Sequence, residues 1–118
     1  QTRVLAYPWG EVLPKFVIAS WFASEKWIAK NKEVGQAFVR AISRGVEAIH
    51  ADPEASRAAM VKWAGLKPEL AGKIGLPVFE KGISENDIQA TIDLTQKYKL
   101  ISRSFKARDV ISDLAPKG

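Results

Sequence analysis

The clearest periodic pattern in the chain runs through residues 24–52. Apolar residues recur there every three or four positions, which places them on one face of a helix: Trp27, Ile28, Val34, Phe38, Ala41, Ile42, Gly45 and Ile49. A polar break at residues 31–33 interrupts the pattern, and Val39 and Val46 form a second apolar strip on its flank. The pattern predicts the longest helix of the chain, covered on more than one side by a larger body.

The residues before this helix indicate short extended segments. Residues 3–14 begin with a short apolar run, which predicts a strand, and continue into a loop because Pro8, Gly10 and Pro14 interrupt regular structure. Residues 16–19 are rich in β-forming side chains and predict a second short strand.

The second half of the chain carries clear helix boundaries. Asp52 directly precedes a proline and predicts a helix start, and Gly65 predicts its end in a left-handed conformation. Pro68 opens a short helix by the same logic, and Ser84 begins an imperfect capping box with an aspartate three residues later. A last short helix is predicted over residues 107–114. The pattern predicts a predominantly α fold with five or six helices and two short β-strands.

Charge and composition exclude several classes of site. The 118 residues carry a net charge of +5 and no cysteine, so disulfides and thiolate metal sites are excluded. Basic residues alternate with acidic ones over most of the chain, although residues 97–108 hold five basic residues and no acidic one. No nucleic-acid-binding motif accompanies that window, so a solvated surface is favoured over a nucleic-acid partner. A basic helical nucleic-acid binder is kept as a lower-ranked rival.

The sequence shows no catalytic or metal-binding constellation. His50 is the single histidine, and its place near the end of the long helix favours an interaction with the helix dipole over catalysis. The glycines form no phosphate-binding loop, and no serine stands in a nucleophile motif. We therefore expect no enzyme activity, no metal and no cofactor.

The aromatic residues divide into two groups. Trp27 and Trp63 lie within apolar helix faces and are expected to pack in the core. A second group stands in or beside the predicted loop and strand end, where side chains can point into a cleft and contact a small organic ligand. The candidate ligand-binding residues are Tyr7, Trp9, Trp21 and Phe22.

The order of these segments resembles a known family. The run KFVIASWFASEKWIAKNKEVGQAFVRAISRGVEAIHAD at residues 15–52 is followed by Asp52-Pro53-Glu54, then by WAGLKPEL and LPVFEKGISENDIQATIDLTQKYKLI. This order and residue pattern is similar to the C-terminal part of the periplasmic substrate-binding proteins of ABC transporters. The resemblance is to the binding proteins of transporters for nitrate, taurine, alkanesulfonates and thiamine-pyrimidine precursors.

The resemblance implies a fold and a role. Such proteins have a two-lobed α/β periplasmic-binding-protein (type II) fold and trap a small molecule between the lobes by hinge closure. Residues 1–14 would then end the second lobe and approach the hinge. Residues 15–118 would supply a hinge strand and the C-terminal helices that complete the first lobe, as a single compact helical unit in isolation.

The same resemblance implies partners and a location. The ligand would be an anion, a sulfonate, a pyrimidine or an aromatic acid, delivered to the membrane permease of an ABC transporter, and the location would be periplasmic. Because the sheet of the first lobe would lie upstream, we expect the isolated chain to expose an apolar flank and to self-associate as a dimer. The alternative is a stand-alone helical protein-protein interaction module, in which residues 34–49 receive a partner helix.

Overall fold

The computed structural model describes residues 3, 5–13, 15 and 17–118, with the Trp9 side chain left out. The described residues form a predominantly helical chain, as the sequence predicts. The helices in chain order are α1 Pro8–Val12, α2 Glu25–Lys30, α3 Lys32–Ala51, α4 Pro53–Ala64, α5 Pro68–Ala71 and α6 Glu85–Lys97, followed by a 3₁₀ turn at Ala107–Asp109.

The two predicted strands are absent from the described residues. Residues 5–7 and 17–24 have no regular secondary structure, and Val4 and Phe16, which belong to the predicted strands, lie outside the description. The one β-type pairing among the described residues is an isolated parallel bridge between Ile83 and Lys117. A strand needs a neighbouring strand to accept its backbone hydrogen bonds, and the described part of the chain supplies none to these segments.

Three predictions along the chain differ from the structure. The predicted loop at Pro8 and Gly10 is the short helix α1, which begins at its proline because that position needs no amide donor. The long helix is split at Asn31, whose backbone amide and side-chain amide both donate to the Trp27 carbonyl, each at 2.9 Å. Near the C-terminus, only Ala107–Asp109 of the predicted last helix is helical.

The predicted helix caps are confirmed. Asp52 accepts a hydrogen bond from the Ala55 amide at 3.0 Å, and Ser84 accepts one from the Asp87 amide at 3.3 Å. Gly65 ends α4 at a φ of 65°, in the left-handed region. These signals are reliable because each involves atoms within three residues along the chain.

Arg57 joins α4 to α5. Its guanidinium donates to the carbonyls of Ala71, at 2.5 Å, and Ile74, at 2.7 Å, and contacts the Glu54 carboxylate at 3.3 Å. The last carbonyls of a helix have no partner inside the helix, so the arginine satisfies groups that α5 leaves free. Ala71 is buried beneath this contact.

Gln89 joins α6 to the 3₁₀ turn. Its side-chain oxygen accepts a hydrogen bond from the Ala107 amide at 2.8 Å, and its nitrogen donates to the Phe105 carbonyl at 3.2 Å. Ala107 is completely buried. Gln89 therefore pairs backbone groups of residues 105–107, which lie outside regular secondary structure or at its start and have no neighbouring strand to pair with.

The C-terminal tail lies against Gly82. The Ile83 amide donates to the Pro116 carbonyl at 2.8 Å, and the Gly118 amide donates to the Ile83 carbonyl at 3.2 Å. A Cβ on Gly82 would lie 2.5 Å from the Lys117 carbonyl carbon, which is closer than side-chain carbons approach a backbone. The tail can dock here because residue 82 has no side chain.

The packed interior is small for a chain of this length. Four apolar side chains in the described residues are buried: Val46, Ala71, Ile92 and Ala107. The radius of gyration is 17.2 Å, whereas a compact domain of this length has a radius of about 13.5 Å. The accessible surface of 10129 Å² exceeds that of a compact monomer of this mass by about 3,800 Å². The helices are thus joined mainly by local contacts.

Candidate functional site

The α3 helix has an apolar surface that the described residues leave exposed. We define the outer face of α3 as Val34, Phe38, Ala41, Ile42 and Gly45. Val34 is 58% exposed, Phe38 43% and Ile42 37%. Successive residues turn by 100° around a helix, so these side chains form one continuous strip along three turns. The helical spacing predicts that these side chains share one face, and the described residues leave that face open.

The buried side of α3 is the flanking strip instead. Gly35 and Val46 are buried and Val39 is half-buried. A Cβ on Gly35 would lie 2.9 Å from Cδ1 of Leu114 and 3.9 Å from the Trp27 ring, so the tail and α2 both approach the helix at this point. The flanking strip, which is the less apolar of the two, is covered, and the more apolar outer face is open. Burial of apolar area alone would favour the opposite arrangement.

Residues 7–22 carry the candidate ligand-binding aromatics, and we call this segment the aromatic arm. Tyr7 is 74% exposed, Trp21 72% and Phe22 98%. The Trp21 ring meets the Phe38 ring edge to face, with centroids 5.3 Å apart. The Trp9 side chain lies outside the described atoms. The arm therefore extends the outer face of α3 through Trp21.

Lys15 attaches the aromatic arm to the connector before α6 and to the first turn of α6. Its ammonium lies 3.0 Å from a carboxylate oxygen of Glu80 and 3.0 Å from one of Asp87. The hydrogen bonds that the ammonium donates to Glu80, the larger cause, and to Asp87 raise the pKa of Lys15 above its ordinary value. Asp87 also occupies the first turn of α6, so one ion pair links the arm to the start of that helix.

Trp27 and Trp63 are less buried than their positions predict. Trp63 is 79% exposed, with the Lys62 ammonium 4.9 Å from its ring centroid. Trp27 is 43% exposed and contacts α3 near Gly35. Helical spacing places a side chain on an apolar face, but it does not supply the element that covers the face.

A second apolar surface lies where α3 meets α4. Ile49, Pro53, Leu76 and Phe79 line an open groove of about 370 Å³ between the two helices and the connector that precedes α6. His50 lies on its rim, in the last turn of α3, where the sequence places it. The groove offers apolar contacts and few polar groups to orient a ligand.

The described side chains present surfaces for contact rather than a reactive cluster. No group of three histidine, cysteine or carboxylate side chains with metal-binding geometry occurs in the described part of the chain. Exposed aromatic rings can stack on a planar ligand or bury an apolar one. The sequence predicts Trp21 as a ligand-binding candidate but does not indicate that Phe38 contacts it, because helical spacing does not report contacts with the segment before the helix.

A comparison with known families bears on the segment that holds these surfaces. The sequence profile of the NMT1/THI5-like family matches residues 3–56. The match covers somewhat under half of the 118 residues and is consistent with a fragment of this substrate-binding family. No curated protein and no solved structure matches the chain.

The NMT1/THI5-like segment contains all four candidate aromatics and the outer face of α3, together with the start of α4. The family match supports a solute-binding role in transport. Within the residues described, no helix is both long and apolar enough to cross a membrane.

Proposed function

We propose that this chain is the C-terminal part of the solute-binding component of an ABC importer. The complete protein captures a small molecule between two lobes and delivers it to a membrane permease, and it works in the periplasm as a binding protein and not as an enzyme. The observation that carries the proposal is the NMT1/THI5-like match over residues 3–56. Capture by closure requires a ligand that binds the closed form more tightly than the open form.

The proposal assigns parts of the chain to the two lobes. Residues 1–14 end the second lobe and lead to the hinge, and residues 15–118 contribute the hinge segment and the helices that complete the first lobe. The large exposed surface and the small interior support this division, because a set of helices that completes a larger body leaves its contact face open. The outer face of α3 is that contact face.

The ligand site in this proposal lies on the aromatic arm. Tyr7, Trp9, Trp21 and Phe22 contribute one wall of the cleft, and the ligand is an anion, a sulfonate, a pyrimidine or an aromatic acid. The high exposure of Tyr7 and Phe22 supports this assignment, and the Trp21 ring, which meets Phe38 only at one edge-to-face contact, also keeps most of its surface open to a ligand. The net charge of +5 is compatible with an anionic ligand.

Ligand binding by the complete gene product tests the proposal. A panel of anions, sulfonates, pyrimidines and aromatic acids is screened by thermal shift, and each hit is titrated by tryptophan fluorescence. We expect Trp21→Ala to weaken binding of the hit by roughly 10-fold or more, as loss of an aromatic contact worth about 1.5 kcal/mol would do. Trp63→Ala is the matched control, because Trp63 is similarly exposed but lies outside the aromatic arm.

Two results would contradict the assignment. If no compound of the panel raises the melting temperature, the solute-binding role fails. If Trp21→Ala and Trp63→Ala weaken binding equally, solute binding stands but the aromatic arm does not form the cleft.

The size and location of the native gene product separate this proposal from its main rival. The rival is a stand-alone helical interaction module, which the open face of α3 favours. An antibody against the chain is used to probe periplasmic and cytoplasmic fractions of source cells. A periplasmic band well above 13.0 kDa supports the binding protein, whereas a cytoplasmic band at 13.0 kDa supports the module.

We further propose that the isolated chain self-associates as a dimer through the outer face of α3. Its surface exceeds that of a compact monomer by about 3,800 Å², whereas a standard interface needs about 800 Å² from each partner. Phe38 and Ile42 are large, and Ala41 and Gly45 beside them are small, so a second α3 can approach closely.

Light scattering coupled to size exclusion tests the dimer. The isolated chain should elute with twice the mass of one chain at high concentration, and Phe38→Ser with Ile42→Ser should shift it to the monomer. Leu70→Ser with Val110→Ser is the control, since both residues are exposed outside α3. A wild-type monomer at high concentration would overturn the dimer without affecting the proposed solute binding.

A further inference from the structure

The last residue of α6 and the segment that follows it form a basic surface. We define the basic loop as residues 97–108, which hold Lys97, Lys99, Arg103, Lys106 and Arg108 and no acidic residue. All five basic residues are exposed. This segment lies outside the part of the chain that matches the NMT1/THI5-like family.

The backbone of the basic loop is held in place at both ends. At its start, the Lys99 amide donates to the Gln96 carbonyl and the Leu100 amide donates to the Thr95 carbonyl, each at 2.9 Å. At its end, Gln89 binds the Phe105 carbonyl and the Ala107 amide. The loop is therefore folded back along α6, and its basic side chains project from a fixed backbone.

Large apolar side chains accompany the charges. Tyr98 is 63% exposed, Leu100 76% and Phe105 41%. The Lys97 ammonium lies 5.7 Å from the centre of the Tyr98 ring. Exposed apolar side chains among basic ones form a surface that is apolar and cationic at once.

The helix dipole accounts for only one of these charges. Lys97 lies in the last turn of α6, where a cation is stabilised by the free carbonyls. Arg103 and Lys106 lie beyond that turn, and Arg108 has a carboxylate no closer than Asp109 at 3.9 Å among the described ion pairs. The nearby Asp93 is hydrogen-bonded to Gln89. The positive charge of the loop is thus largely uncompensated by its surroundings.

We propose that the basic loop binds the surface of an anionic lipid bilayer. Basic side chains are attracted to anionic headgroups, and exposed Leu and aromatic side chains gain by entering the boundary between headgroups and acyl chains. A nucleic acid would use the charges, but an exposed Leu100 would gain nothing from its phosphate backbone. The apolar residues therefore favour a lipid surface. This proposal does not depend on solute binding.

Vesicle flotation of the 118-residue chain tests the proposal. Mixed phosphatidylglycerol and phosphatidylcholine vesicles are compared with phosphatidylcholine vesicles, at low and high salt. Flotation is used because self-associated protein sediments and does not float. We expect binding to the anionic vesicles that falls with salt, and weak binding to the zwitterionic ones.

A matched pair of variants locates the binding site. The triple variant K97Q/K99Q/K106Q should weaken binding by about 100-fold, since each basic residue near an anionic surface contributes a factor of about 5. The control K62Q/K67Q/K73Q removes the same charge from exposed lysines on and around α4 and α5. Each set also removes one lysine that lies over an aromatic ring.

The apolar part of the proposal has its own variant. Leu100→Ser leaves every charge in place and should weaken binding to anionic vesicles by roughly 5-fold, as loss of a buried aliphatic side chain at the interface predicts. The proposal is overturned if the two triple variants lose equal affinity, if zwitterionic vesicles bind as well as anionic ones, or if the chain binds single-stranded DNA and not vesicles.

Discussion

The two halves of the chain are held together by different kinds of contact. In residues 53–118, single side chains clamp irregular backbone by hydrogen bonds: Arg57 onto the end of α5, and Gln89 onto the 3₁₀ turn. In residues 3–51, the aromatic arm is attached by the half-exposed Lys15 and by one edge-to-face contact between Trp21 and Phe38. Apolar side chains stay exposed in both halves, but among the described residues only the second half has side chains that clamp backbone far along the chain.

The difference shows that the two halves are stabilised by different interactions. Clamped backbone is complete without further partners, because its hydrogen-bonding groups are satisfied inside the chain. An exposed apolar face is incomplete, because its stabilisation comes only when something covers it. The outer face of α3 is therefore the part of the first half at which a covering partner is to be sought.

The largest expected effect is the loss of the Arg57 clamp. Arg57→Met keeps most of the apolar stem but leaves the Ala71 carbonyl without its charged donor, and we expect a loss of about 3 kcal/mol in the free energy of unfolding. Urea denaturation measures it, and Arg44→Met, at an exposed position of α3, is the control. An equal loss in both variants would mean that the clamp is not specific.

Removal of Gln89 should have the next largest effect. Gln89→Ala strips the buried Ala107 amide of its acceptor, which should cost about 2 kcal/mol. Hydrogen exchange should show faster exchange at residues 105–107. Gln96→Ala, on the exposed side of the same helix, should leave those amides unchanged. Slow exchange at residue 107 in Gln89→Ala would show that another group protects it.

A side chain at Gly82 should release the tail at a smaller cost. Gly82→Ala places a carbon 2.5 Å from the Lys117 backbone, and displacement of the tail should cost about 1 kcal/mol through its lost hydrogen bonds. Exchange of the Ile83 amide reports the release. Gly75→Ala is the control, because nothing lies within 4 Å of a Cβ there. A protected Ile83 amide in Gly82→Ala would contradict the docking.

The smallest effect on overall stability should come from Lys15. Lys15→Met removes both ion pairs, and we expect faster proteolysis within residues 17–24 with little change in the unfolding midpoint, since exposed ion pairs contribute little. A midpoint shift as large as that of Gln89→Ala would break the comparison, because the arm would then be held as firmly as the C-terminal half.

The contribution of Lys15 also has a predictable pH dependence. The hydrogen bonds to Glu80 and Asp87 raise its pKa above the ordinary value of 10.5. A group whose pKa is raised by folding contributes its stability fully below pH 10.5 and loses it as the pH rises through the folded-state pKa. The difference in proteolysis rate between wild type and Lys15→Met should therefore be constant below pH 10.5. It should disappear as the pH rises through the higher pKa that Lys15 has in the folded chain.

Much of the secondary structure could be predicted from sequence, and the candidate site only in part. Asp52, Gly65 and Ser84 mark helix ends by contacts within a few residues, and the structure confirms all three. The sequence predicts Trp21 as a ligand-binding candidate, and the structure shows its side chain exposed within the aromatic arm. Helical spacing places Phe38 on the apolar face of α3, but spacing reports which residues share a face and not whether that face is covered.

The sequence by itself determined most of the helices, their caps and the match of residues 3–56 to the NMT1/THI5-like profile, because these depend on local hydrogen bonds and on the order of residues. Only the tertiary structure decided that α3 buries its flank and exposes its outer face. It also decided the two clamps, in which Arg57 reaches 14 residues ahead to Ala71 and Gln89 reaches 18 residues ahead to Ala107. No local pattern specifies such contacts, because they form only when separate helices have been brought together.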